Sequence, residues 1–170
     1  MTESPSAAAQ RLLMQTAEAL GEVTESGSDV ELMALLSTCD TVVRRLDQAT
    51  VNAVAVLERR GVFAERGYKS AAAALSDLLG WERFEARRRV VAAEQVTPRV
   101  GLDGAPLPAR LPATATVFAA GATSLRHVET IARVLGSDAA GRLSPQQWAG
   151  AEEQLAAKAD VYTPPWIDPE

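Results

Sequence analysis

The 170-residue chain is poor in the residue types that most often carry chemistry: one cysteine, one histidine and only 5% aromatic side chains. Cys39 alone forbids an internal disulfide and cannot build a thiolate metal site, so a reducing cytoplasm is the expected compartment. His127 alone cannot form a two-histidine metal site. There is no window of about eighteen consecutive apolar residues, which excludes a membrane-spanning helix. The opening MTESPSAAAQ lacks the basic flank and apolar run of a secretory signal. Walker loop, dinucleotide fingerprint and nucleophile elbow are all missing. We therefore expect no catalytic, metal-binding or cofactor-binding residues, and do not read the chain as an enzyme.

What is present points to helices. The hydrophobic fraction of 47% is carried mostly by Ala, Leu and Val. Alanine is the best intrinsic helix former because it loses no side-chain entropy. No stretch alternates convincingly as a strand, so the expected fold is all-α: a multi-helix bundle with one long helix of about 30 residues. The net charge of −5 argues against a general nucleic-acid binder. Its distribution is uneven, with −6 over residues 1–43, +4 over 44–99 and −3 over 100–170.

Residues 1–29 read as a first helix, capped by Ser4-Pro5-Ser6 and ended by Gly21, followed by an acidic loop. Residues 30–160 read as a single helical domain. Its first helix spans about 30–60, where Leu32, Leu36, Cys39, Val43, Leu46, Thr50, Ala53 and Leu57 recur in steps of four and three. Such a heptad seam needs a partner, either another helix of this chain or a second copy. Leu35, Val42 and Val56 widen the stripe, which favours bundle packing. Cys39 reads as a small buried hydrophobe.

Residues 70–96 read as helix, turn, helix: Ser70 caps a helix over 71–79, Gly80 ends it, and a second helix starts near Glu82. A Pro/Gly-rich loop occupies 98–112 and a helical hairpin 112–136. Ser144, Pro145 and Gln147 start a last helix over 145–158. Residues 161–170 form a Pro-rich tail. Trp148 and Trp166 fit either core or docking anchors, and the paired acids Glu152 and Glu153 read as solvated.

A helical corner of this outline resembles a DNA-binding helix-turn-helix. On the second helix Ala86, Val90 and Ala93 share one face, Arg88 lies nearly opposite, and Phe84 and Val91 form a smaller apolar stripe toward a second neighbour. The nucleic-acid reading assigns Arg83, Arg87, Arg88 and Lys69 to phosphates or base edges. The plainer alternative pairs Glu85 with Arg89 on a solvated surface.

Several blocks are familiar in this order: Arg59-Arg60-Gly61, Gly67-Tyr68-Lys69-Ser70, Leu79-Gly80, Ala86-Arg87-Arg88-Arg89-Val90, Leu111-Pro112, and Gly121 followed by Ser124-Leu125-Arg126-His127. They resemble the actinobacterial 13E12-repeat family, a domain of unknown function usually found upstream of an HNH endonuclease module. The resemblance covers most of residues 30–160. A looser similarity is to the helix-turn-helix region of ParB-type partition proteins, which implies Glu82–Val91 as the reading helix, Leu111–Leu135 as its supporting hairpin and a structural role for His127. The chain lacks the His-Asn-His constellation, so nuclease activity does not transfer to it. The ending TPPWIDPE suggests a fragment of a longer product or a standalone accessory domain.

The expected function is a non-catalytic, DNA-associated accessory or targeting module that binds double-stranded DNA, with the 30–60 helix serving as a scaffold or as a homodimer interface. The alternative is an interaction or oligomerisation scaffold without DNA contact.

Overall fold

A computed structural model describes residues 4–159 and 161, and its elements are helices apart from one two-residue-strand hairpin. The chain divides into two compact units, Met1–Asp40 and Thr41–Glu170. The division falls inside the long helix.

In the first unit, α1 (Pro5–Ser26) begins where Ser4 Oγ accepts from the Ala7 amide at 3.1 Å. The helix runs through Gly21, where an end is expected, and stops at Gly27. An isolated helical glycine costs only about 1 kcal/mol relative to alanine, too little to terminate a helix by itself. A capping box restarts the chain: Ser28 N–H and Oγ both donate to Glu31 Oε2, at 2.8 and 2.7 Å. From there α2 (Asp29–Arg59) extends for 31 residues, as the periodicity predicts. Among the described residues of this unit no side chain is buried, and Cys39 is half-buried rather than enclosed.

The second unit holds the core. Val51 and Val54 are the buried residues of α2. They lie one position off the predicted seam, about 100° around the helix. Of the seam, Leu36, Val43 and Leu46 are exposed, while Leu32 and Leu57 are half-buried. The seam therefore does not organise the intrachain bundle, because the helices of the second unit pack against its Val51/Val54 side.

After a single turn, α3 (Val62–Glu65), Ser70 caps α4 (Ala71–Leu79), and Gly80 ends α4 in the left-handed region at φ 67°. An L side chain is strained there, which explains the Leu-Gly sequence. Next comes α5 (Arg83–Val96), buried through Ala86, Ala92, Ala93 and Val96. Its alanines let α4, α6 (Pro112–Ala119) and α7 (Leu125–Leu135) approach closely. The expected Pro/Gly loop contains a minimal antiparallel hairpin, β1 (Arg99–Val100) with β2 (Pro106–Leu107), pairing Arg99 with Leu107. Leu111 N–H then donates to Gln95 O, fastening the return of the loop to α5.

A second apolar cluster, Leu111, Ile131, Leu135 and Ala159, is completed by α8 (Pro145–Ala159). Trp148 packs against it and donates from Nε1 to Leu135 O at 3.2 Å, so it belongs to the core. Trp166 lies outside the described residues. The Ser144/Gln147 capping box forms as the sequence predicts.

Glu152 departs most sharply from the sequence reading. It is only 1% exposed, and its carboxylate accepts from Ala113 N, Thr114 N and Thr114 Oγ1. Leu111 at the N-cap of α6 offers no side-chain acceptor. A carboxylate from α8 thus satisfies the open amides and faces the positive end of the α6 dipole. Glu153 beside it is exposed, as expected.

Candidate nucleic-acid interface

The turn between α4 and α5 is fixed by Ser76, whose Oγ donates to Trp81 O at 2.7 Å. The Trp81 ring in turn lies under Arg89, with Cζ 4.7 Å from its centroid. This arrangement sets the N-terminal turn of α5 beside α4.

The arginine triplet splits into three different environments. Arg89 donates to Asp47 on α2 at 3.0 Å and to Glu85 at 2.7 Å. Arg88 donates to Glu85 at 2.6 Å and to Glu129 on α7 at 2.7 Å. Arg87 is exposed and forms no ion pair among the described residues. The predicted Glu85–Arg89 pair is therefore present, but as part of a half-buried clamp joining α5 to α2 and α7. The nucleic-acid reading includes Arg88, which lies nearly opposite the Ala86 face. That side is covered too, since α7 packs there and Ala92 is buried.

The clamp perturbs its members. Hydrogen bonds from Arg89, with the charge of Arg88 and Arg89, hold the Glu85 carboxyl below its ordinary range. Asp47 moves the other way, because burial outweighs the attraction of Arg89. The Arg88 guanidinium is held up chiefly by its hydrogen bond to Glu129.

Arg83 and Arg87, one helical turn apart, line a groove of about 520 Å³ with Ala72, Ala73, Ser76 and Asp77 of α4. Asp77 also accepts from the Tyr68 hydroxyl, which raises the phenol pKa. Lys69 is exposed at the start of α4, but it lines a separate recess with Glu58, Tyr68 and Ser70. Of the four residues assigned to nucleic acid, the fold thus brings Arg83 and Arg87 together, places Lys69 in a separate recess just before α4 and engages Arg88 internally.

Phe84 is a residue that the sequence reading misplaced. The apolar stripe with Val91 predicts packing against a neighbouring helix, yet Phe84 is 76% exposed. Periodicity marks it only as apolar and carries no sign that its neighbour is missing. His127, by contrast, is structural: it is buried and forms the capping box of α7 with Ser124, Oγ to Nδ1 being 2.9 Å. Among the described residues no group of His, Cys, Asp and Glu is placed to hold a metal ion. No helix among them is long and apolar enough to cross a membrane.

These elements define an all-α domain with a tight helical corner and an arginine-lined groove. Residues 33–167 match the family described as "Domain of unknown function (DUF222)". The chain belongs to this family, which is also the 13E12-repeat family that its sequence blocks resemble. It is 32% identical over 145 residues to two Mycobacterium tuberculosis relatives, "Uncharacterized protein MT1160" and "Uncharacterized protein Rv1128c". The alignment covers 85% of this chain and 34% and 32% of those relatives, so the chain spans about a third of their length. No solved structure matches it.

Proposed function

We propose that the domain is a non-catalytic, DNA-associated module whose α4–α5 corner meets double-stranded DNA through Arg83 and Arg87, with Lys69 as an outlying phosphate contact. The observation carrying this reading is the pair of uncommitted guanidinium groups one turn apart at the exposed start of α5. Short of ion-pair partners, they suit phosphate oxygens or a guanine edge. The looser likeness to ParB-type helix-turn-helix regions supports the same corner. The 13E12-family resemblance suggests accessory work beside an HNH endonuclease module. Arg88 is excluded from the contact set and assigned to holding α5 in place.

Fluorescence anisotropy with a mixed-sequence duplex at low salt tests this. The wild type binds, Arg83→Ala/Arg87→Ala binds at least about tenfold more weakly, and Arg88→Ala retains most of its affinity if it remains folded. Absence of wild-type binding, or equal binding by the Arg83/Arg87 variant, would overturn the reading.

A second reading rests on α1 and the start of α2. Leu12, Leu13, Met14, Val30, Met33 and Leu36 are all exposed, and no described residue of that unit is buried. Two helices without a fully buried residue are marginal alone. A second copy offering the same pair would complete a four-helix bundle with a self-complementary interface. Light scattering at high micromolar concentration then gives twice the chain mass, and Met33→Glu/Leu36→Glu gives the monomer. A wild-type monomer throughout would contradict this interface.

A further inference from the structure

The exposed ring of Phe84 adds a specificity to the DNA reading, on which this inference rests. Phe84 occupies the second position of α5, with Arg83 beside it and Arg87 one turn on. All three are exposed, and helical spacing sets Arg87 between Arg83 and Phe84 on the solvent-facing side of the first turn. Leaving a phenyl ring 76% exposed forfeits most of the benefit of burying it, so the ring is available to an apolar partner. Its neighbours select that partner: two exposed cations to one side of an aromatic ring suit an apolar group carried on a polyanion.

Major-groove base edges offer donors, acceptors and one apolar feature, the C5-methyl group of thymine. We infer that Phe84 packs against a thymine methyl while Arg83 and Arg87 hold the adjoining phosphates or a guanine edge. The module would therefore prefer thymine-containing sites. The ring sits at the helix N-terminus, the end from which recognition helices address base edges.

Replacing every thymidine of the mixed-sequence duplex with deoxyuridine deletes the methyl groups and keeps all hydrogen-bonding groups and phosphates. The wild type should bind the deoxyuridine duplex about fivefold more weakly, the scale expected for a lost methyl contact. Phe84→Ala should bind both duplexes equally, and Phe84→Leu should restore a preference for thymidine. Since the ring is exposed, Phe84→Ala should keep the wild-type circular dichroism spectrum.

Equal wild-type affinity for the two duplexes would overturn the thymine contact and leave the arginine contacts standing. So would a thymidine preference that persists undiminished in Phe84→Ala. Failure to bind either duplex would overturn the DNA reading and the thymine contact together.

Discussion

Glu152→Ala is expected to destabilise the protein by about 3 kcal/mol, the largest effect of any substitution considered. The change strips acceptors from two backbone amides and one hydroxyl at the start of α6, in a place where Glu152 itself is 1% exposed. Each donor left unpaired away from water costs about 1–3 kcal/mol, and some will recover by admitting water to the cavity. The lost dipole interaction adds to the cost. Glu152→Gln keeps one carbonyl oxygen and should lose less, while Glu153→Ala next to it should stay within about 0.5 kcal/mol of wild type. Urea unfolding followed by circular dichroism measures all three. Equal effects at 152 and 153 would mean that the carboxylate does not cap α6.

Arg89→Ala comes next, at about 2 kcal/mol. Its ion pair with Asp47 leaves the two side chains 19% and 18% exposed. That places it between surface pairs, worth at most about 1 kcal/mol, and fully buried pairs, whose disruption costs about 3–5 kcal/mol. Removing the cation also uncovers the face of Trp81 and leaves Asp47 half-buried without its counter-charge. Adding Asp47→Ala should therefore restore about 1 kcal/mol, because the stranded carboxylate is gone. Arg88→Ala should cost less, about 1 kcal/mol, since Arg88 and Glu129 are 26% and 39% exposed. The same unfolding titrations check the series. Additive losses in the Arg89→Ala/Asp47→Ala double variant would contradict the clamp.

The contrast between the triplet's local pattern and its actual partners shows what the sequence could reveal. Helix ends were legible wherever one residue decides them: Ser70, Gly80 and the Ser144/Gln147 box act within a turn of themselves. Gly21 misled because a glycine's small helix penalty yields to its neighbours. The clamp was invisible for the opposite reason. Asp47 and Glu129 lie 42 and 41 residues from their arginines, and helical spacing ranks only the faces of one helix. Glu152 was misread likewise, its partners lying 38 and 39 residues away. Periodicity found the apolar seam of α2 but not what covers it. The buried positions, Val51 and Val54, were set by helices that arrive later in the chain.

For the candidate interface the residue types were legible and their availability was not. Arg83, Arg87 and Arg88 look equivalent in sequence. The fold separates them into two exposed cations and one engaged by Glu85 and Glu129. Phe84 reads as core until α5 is seen to leave it uncovered.

The salt dependence of DNA binding tests the central claim most directly. Affinity of the wild type and of Arg83→Ala/Arg87→Ala for a mixed-sequence duplex would be measured by anisotropy between about 50 and 200 mM salt. Each phosphate contact contributes about one unit to the slope of log affinity against log salt. The wild type should bind with a negative slope, and the double variant should lose up to about two units of it. Unchanged slope together with unchanged affinity in the double variant, or no binding by the wild type at the lowest salt, would contradict the assignment of this surface to DNA.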